Sequence, residues 1–185
     1  MGQLCAPNEK PLREALDAPD GFIVSRHREY IERVVRSTHA HTAVFRELID
    51  ESTCVLYALS LFQNRTYRAI ASNFGGKIFA GRAFMEWLIN GHLVEIDEPI
   101  PGCLALYFDE GASQHAGFVS HPGRVISQWG MFPVYEHDVC EVPARYGNKL
   151  RYFSRPGPGE PLRMFLDYAK TSGISDADIA KVVNA

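Results

Sequence analysis

Apolar and polar positions in the first half of the chain repeat with helical spacing. From Ser25 onward, apolar residues at positions 30, 31, 34 and 35 fall on one helical face, with charged residues opposite. A second helical segment is predicted over about 41–50. A third begins at Cys54 and runs through an almost entirely apolar stretch to position 62, and a fourth covers 83–89. The apolar third helix is expected in the centre of the domain.

The second half changes to short apolar or alternating runs, which are typical of strands. The predicted strands cover 93–96, 104–108, 115–120, 124–128 and 150–153. His121, Pro122 and Gly123 form a hairpin signal between the third and fourth of these strands. Helices that come first and strands that follow predict an α+β domain with an antiparallel sheet.

Proline and glycine positions divide the chain into three predicted parts. Residues 1–20 are expected to form an extended arm, residues 21–153 the main domain, and residues 154–185 a linker with a C-terminal helical appendage. The last helix should begin at Ser175, with Asp178 completing an acidic variant of the capping box. Its narrow apolar stripe either packs on the outside of the domain or binds a protein partner.

Composition narrows the class of protein. The chain has 185 residues, is 46% apolar and 22% charged, and has a net charge of −3. These values predict one soluble globular domain and give no reason to expect nucleic acid or a membrane surface as partner. No apolar run is long enough to span a bilayer, and no secretory signal is recognisable at the N-terminus. We therefore expect a cytoplasmic location and four reduced cysteines, with export by a non-standard route and two disulfides left open.

Cys54 is the candidate nucleophile. It follows Ser52 and Thr53 at a helix start, where the helix dipole favours a thiolate. His115, at the head of a predicted strand, is the candidate general base. Cys5, Cys103 and Cys140 lack such a context and are predicted to be structural or incidental.

No cofactor is predicted. His39 and His41 could be metal ligands, but no third ligand lies near them in the sequence, so no metal site is expected. Trp129-Gly130 and Tyr146-Gly147 either line a cleft or pack against the sheet.

A longer pattern carries a family resemblance. The stretch from Pro101 to Phe108, followed after a short acidic loop by His115-Ala116-Gly117-Phe118-Val119 and then by Gly123-Arg124-Val125-Ile126, resembles the NlpC-type cysteine hydrolases. The resemblance covers about residues 48–130. It implies a papain-like fold with N-terminal helices packed on an antiparallel sheet, and Cys54 and His115 as catalytic residues. The chain differs from the family's usual Asp-Cys-Ser, because it has Thr53-Cys54-Val55.

The third catalytic group depends on the register of the predicted hairpin. If Pro122 and Gly123 alone form the loop, Gln128 shares the face of His115; if His121 joins the loop, Ser127 does. We prefer Gln128, because its amide oxygen can orient an imidazole N–H. The segment 136–138, which includes His137, is expected on a loop and offers other polar partners.

The expected function is a thiol-dependent hydrolase of amide or peptide bonds, a cysteine peptidase or amidase that acts on a peptide or another amide-containing substrate. The alternatives are a catalytically inactive papain-like binding or adaptor protein, and a related cysteine acyltransferase or deamidase.

Overall fold

The computed structural model describes residues 2–6, 9–17, 23–38, 44–47, 49, 52–75 and 77–183. Within these residues the chain is a mixed α+β fold with an open antiparallel sheet and seven α-helices. The helices are α1 (Lys10–Ala15), α2 (Val24–Thr38), α3 (Cys54–Ala58), α4 (Arg65–Phe74), α5 (Arg82–Ile89), α6 (Glu160–Thr171) and α7 (Asp176–Val183). The strands are β1 (Gln3–Leu4), β2 (Val44–Glu47), β3 (Glu95–Ile96), β4 (Leu104–Asp109), β5 (Ala112–His121), β6 (Arg124–Gln128), β7 (Val134–Asp138) and β8 (Lys149–Phe153).

The sheet runs in the order β1-β8-β4-β5-β6-β7-β2, and β3 also pairs with β8. Its long central strands β4 and β5 pair antiparallel, so their side chains alternate between two faces. On one face Leu106 and Ala116 belong to a core formed with α3–α6. On the other face Tyr107 belongs to a second core that includes residues of α2. The predicted α+β class, with N-terminal helices on an antiparallel sheet, is therefore observed.

Several predicted elements are confirmed. The helix predicted over 83–89 corresponds to α5, and the strands predicted over 104–108, 124–128 and 150–153 correspond to β4, β6 and β8. The capping box before α7 is present, since Asp178 Oδ2 accepts from the Ser175 backbone N–H and Ser175 Oγ accepts from the Asp178 N–H. Ile179 of α7 packs against the helix-side core. Binding of a protein partner by this helix stays a prediction.

Two predicted segments are different in the structure. The helix predicted over about 41–50 is wrong at its described centre, because residues 44–47 form β2, which pairs with β7 at the edge of the sheet. The segment 136–138 was expected on a loop but lies within β7. Strand β2 is stabilised by β7, a long-range contact without a local signal, whereas β7 is also paired along its length with the preceding strand β6.

The helix that begins at Cys54 is shorter than the apolar run predicts. It ends at Ala58, and Ser60 has a positive φ of 56°. The Leu61 N–H bonds to the Leu56 carbonyl and the Ser60 N–H to the Tyr57 carbonyl. This pair of bonds is a Schellman motif, with Ser60 in the left-handed position usually held by glycine.

The N-terminal arm, expected to be extended, contains the helix α1 and is attached to the sheet. Its strand β1 pairs with β8. A disulfide joins Cys5 to Cys140, with the two Cα atoms 5.4 Å apart. The expectation of four reduced cysteines is therefore wrong for this pair, while Cys54 and Cys103 are free thiols. None of the helices in the described part of the chain has both the length and the apolar character needed to cross a bilayer.

Gly117 allows β5 and β6 to approach closely. A Cβ at this position would lie 2.7 Å from Val125 Cγ1 and 2.8 Å from the Ile126 carbonyl oxygen. We predict that Gly117→Ala lowers the free energy of unfolding by about 1–3 kcal/mol through overpacking, measured by urea unfolding. Gly91→Ala is the control, because a Cβ there meets nothing within 4 Å. Equal stability of the two variants would contradict the close approach.

Candidate active site

Cys54 is the first residue of α3, as the sequence predicts. Thr53 has an extended backbone (φ −133°, ψ 168°), and its side-chain oxygen accepts from the Leu56 N–H at 3.4 Å. This N-cap fixes the start of the helix one residue before the thiol. Because α3 has only five residues, its dipole is much smaller than that of the longer helix expected from sequence.

The surroundings of the Cys54 sulfur have opposing effects on the pKa of its thiol. Burial raises the pKa of the thiol, and the backbone N–H groups of Ala116, Val55 and Cys54 oppose this by favouring the thiolate. The balance leaves the pKa of Cys54 above its ordinary value. The residue is nevertheless partly exposed. The structure therefore shows a thiol that is protonated at neutral pH, in a partly exposed residue, and not the preformed thiolate predicted from the helix start.

His115 lies in the middle of the sheet. It pairs with Tyr107 across β4 and β5 and is 1% exposed. Its ring stacks on Tyr146, with the centroids 4.0 Å apart and the planes 7° from parallel. The pKa of His115 lies well below its ordinary value. Burial is the main cause, and the nearby His137 and Arg145 lower the pKa further. The imidazole is therefore neutral at physiological pH.

Cys54 and His115 border one cavity of about 170 Å³. The residues around this cavity are Thr53, Cys54, Val55, Gly81, Arg82, Ser113, Gln114 and His115. Cys54 also contributes to raising the pKa of Tyr146, the residue stacked on His115. Within the described part of the chain, neither ring nitrogen of His115 has a hydrogen-bond partner. Cys54 and His115 thus border the same cavity, and no hydrogen bond joins them.

Gln128 lies away from His115. The two-residue loop assumed for it is present, since His121 pairs with Arg124. A register shift between Val119 and His121 then moves the rest of the strand by one residue, so that Val119 pairs with Val125. A bulge of this kind adds one residue to a strand, so the side chains that follow lie on the opposite face from the one expected.

As a consequence Ser127, and not Gln128, shares the face of His115. The Gln128 amide Nε2 donates to the Ile49 carbonyl oxygen at 3.2 Å, just upstream of the Cys54 helix. The preference for Gln128 as the third catalytic group therefore loses its geometric basis. The side chain instead ties β6 to the segment that leads to the nucleophile.

His137 is a buried polar residue that sequence reasoning placed on a loop. Its Nδ1 donates to the Asp138 carbonyl oxygen at 2.8 Å, so its Nε2 accepts from the Ser127 hydroxyl at 2.9 Å. Burial lowers the pKa of His137 to about 4. The alternation of Tyr135 and His137 with more polar neighbours was the only signal that could have predicted a strand there.

Some buried polar atoms near the site have no partner among the described residues. They include both ring nitrogens of His115 and the hydroxyl oxygen of Tyr146, the residue stacked on it. Buried polar groups are normally hydrogen-bonded, and a buried group left without a partner costs about 1–3 kcal/mol of stability. The two unpaired nitrogens of His115 are enclosed by protein, although the residue borders the cavity.

The described residues offer one geometric cluster of metal-ligand type, Cys5, Glu9 and Cys140. Its two sulfurs form the disulfide and are not available as thiolate ligands. His39 and His41 lie outside the described residues. Comparison of the chain with protein-family models, curated proteins and solved structures gives no significant match.

The buried His137 predicts a dependence of stability on pH. Its folded pKa of about 4 is below the ordinary value of 6.5, so the unfolded chain binds the proton first as the pH falls. The stability that His137 contributes is full above about pH 6.5 and is lost toward about pH 4, by about 3 kcal/mol. In urea unfolding between pH 7 and about 4.5, His137→Gln should flatten the decline.

The same substitution at His92, which is exposed, is the control. An unchanged pH slope in His137→Gln would show that this histidine is not held neutral by burial.

Proposed function

We propose that the chain is a thiol-dependent hydrolase of amide or peptide bonds on a papain-like scaffold, a remote relative of the NlpC-type hydrolases. The observation that carries this proposal is the cavity of about 170 Å³ that Cys54 and His115 border together. Cys54 lies at the capped start of α3, and His115 lies on the central strand β5. Thiol nucleophiles are commonly activated by an adjacent imidazole in this way.

The charge states support a general-base mechanism that starts from a neutral pair. The pKa of the Cys54 thiol is raised and that of His115 is lowered, so neither group is charged at rest. His115 accepts the thiol proton while the sulfur bonds to the substrate carbonyl carbon. The proton then passes to the amine as the carbon–nitrogen bond breaks, leaving a thioester on Cys54. Water, deprotonated by His115, hydrolyses the thioester and restores the thiol.

The tetrahedral oxyanion needs donors close to the sulfur. The backbone N–H groups of Cys54, Val55 and Ala116 already favour negative charge at that position. Backbone amides are the usual donors of an oxyanion hole. We assign them this role, and we assign no catalytic role to Gln128, whose amide is bonded to Ile49.

The substrate is proposed to be a peptide or another amide whose reacting end fits the small cavity while the remainder stays outside. Arg82 borders the cavity and is exposed, so substrate groups beside the reacting carbonyl would meet a positive charge. We propose a cytoplasmic location on the sequence alone. The Cys5–Cys140 disulfide is more typical of an oxidising compartment.

A binding or adaptor protein without catalysis is the second candidate. The observation that favours it is the absence of a hydrogen bond from either His115 nitrogen within the described residues, together with a thiol whose pKa burial raises. A related acyltransferase would use the same two residues with an acceptor other than water in the second step, and a deamidase would release ammonia in the first step.

The test is activity of purified protein on a library of peptides and amides. We expect Cys54→Ala to abolish hydrolysis and His115→Ala to lower kcat by about 10²- to 10⁴-fold, the usual contribution of a general base. Cys103→Ala is the matched control, because this second free cysteine is buried away from the cavity, and it should remain active.

Hydrolysis that persists in Cys54→Ala would rule out the proposed nucleophile. A wild-type protein that is folded yet inert across the library, and that binds library members with Cys54 unmodified, would instead support the binding protein.

A further inference from the structure

The N-terminal arm, defined as the described residues 2–6 and 9–17, is attached to the segment 140–148. At one end, Cys5 forms the disulfide with Cys140, and its backbone N–H donates to the Asn148 carbonyl oxygen at 3.0 Å. At the other end, Asp17 lies 3.4 Å from the Arg145 guanidinium and accepts from the Arg145 backbone N–H at 3.3 Å. The arm therefore holds both sides of this segment.

Arg13 holds the centre of the same segment. Its side chain is 5% exposed. It donates to the carbonyl oxygens of Val142 at 3.1 Å, Pro143 at 3.5 Å and Gly147. Hydrogen bonds from a charged donor are stronger than those between neutral groups. These three carbonyls lie on both sides of the short 3₁₀ turn Ala144–Tyr146, so Arg13 fixes the turn from its two ends.

Tyr146, the last residue of that turn, contacts the candidate base. Its ring is stacked nearly parallel on His115, and Tyr107 approaches the imidazole at a tilt with the centroids 5.6 Å apart. Because neither His115 nitrogen is hydrogen-bonded within the described residues, ring contacts replace the polar partner that usually orients a catalytic histidine. The orientation of the imidazole therefore depends on where the turn places Tyr146.

We propose that Tyr146 is the positioning residue of His115 and that the N-terminal arm fixes it, which places the Cys54–His115 site under the control of the Cys5–Cys140 disulfide. This inference rests on the proposed function, since it requires His115 to act on Cys54. The arm thereby connects the redox state of its surroundings to the reactivity of the thiol.

The redox step requires a dithiol reductant. One thiolate of the reductant attacks a sulfur of the Cys5–Cys140 bond and forms a mixed disulfide, and its second thiol displaces the protein sulfur. The reductant leaves as a cyclic disulfide, having lost two electrons, and Cys5 and Cys140 each become a thiol with one proton. The arm then keeps the contacts of Arg13 and the pairing of β1 but loses its covalent attachment to the segment 140–148.

The test follows the rate at which iodoacetamide alkylates Cys54, measured by mass spectrometry on the peptide that carries it. Tyr146→Phe keeps the ring and should stay within about twofold of wild type. Tyr146→Leu removes the stack and should slow alkylation about threefold to tenfold, the range expected for an aromatic pair. In a His115→Ala background, Tyr146→Leu should cause no further loss, because its effect passes through the imidazole.

The arm is tested by a second set of variants. Wild type reduced with dithiothreitol and freed of it, and the double variant Cys5→Ser/Cys140→Ser, should both show the slower rate. Arg13→Ala should do the same, whereas Lys10→Ala, on the exposed side of the same helix, should not. Cys103→Ser controls for loss of a cysteine elsewhere, and circular dichroism establishes that each protein is folded.

The negative results distinguish failure of the positioning role from failure of the Cys54–His115 pair. If His115→Ala slows alkylation but Tyr146→Leu and the opened disulfide do not, the positioning role is overturned while the catalytic pair stands. An effect of Tyr146→Leu that persists in full without His115 likewise overturns it. If His115→Ala itself leaves the rate unchanged, the proposed pair fails, and with it the basis of this inference.

Discussion

The contact between α3 and the central strand β5 is the constraint on which the candidate site depends. It directs the backbone N–H of Ala116 toward the Cys54 sulfur, and Ala116 is the residue that follows His115. A strand alternates its side chains between faces, so the helix packs against Ala116 on one face while His115 projects toward the other core. Cys54 and His115, on opposite sides of this strand, nevertheless border one small cavity.

Burial determines the chemistry available there. It raises the pKa of the thiol and lowers that of the imidazole, so the resting pair is neutral. An ion pair of thiolate and imidazolium would require the opposite shifts. The proposed site is therefore closer to a general-base system, in which proton transfer accompanies attack, and its geometry rather than its resting charge carries the activation.

Local signals predicted the start of α3, because Thr53 and the apolar run after Cys54 are adjacent in sequence. The long-range features were not predictable in the same way. A single bulge after Val119 changed the face of Gln128. The disulfide joins cysteines that are 135 positions apart, and their spacing carries no motif. Tyr146 was singled out as an aromatic residue, but its stacking on His115 depends on how the arm and turn fold together.

The most direct measurement is to find which residue carries an acyl group after reaction with an activated ester such as p-nitrophenyl acetate. The protein is quenched in acid and digested, and the acylated peptide is identified by mass spectrometry. We predict a thioester on Cys54 that forms much more slowly in His115→Ala and is absent in Cys54→Ala. Acylation confined to other residues, or equal acylation of Cys54 with and without His115, would contradict it.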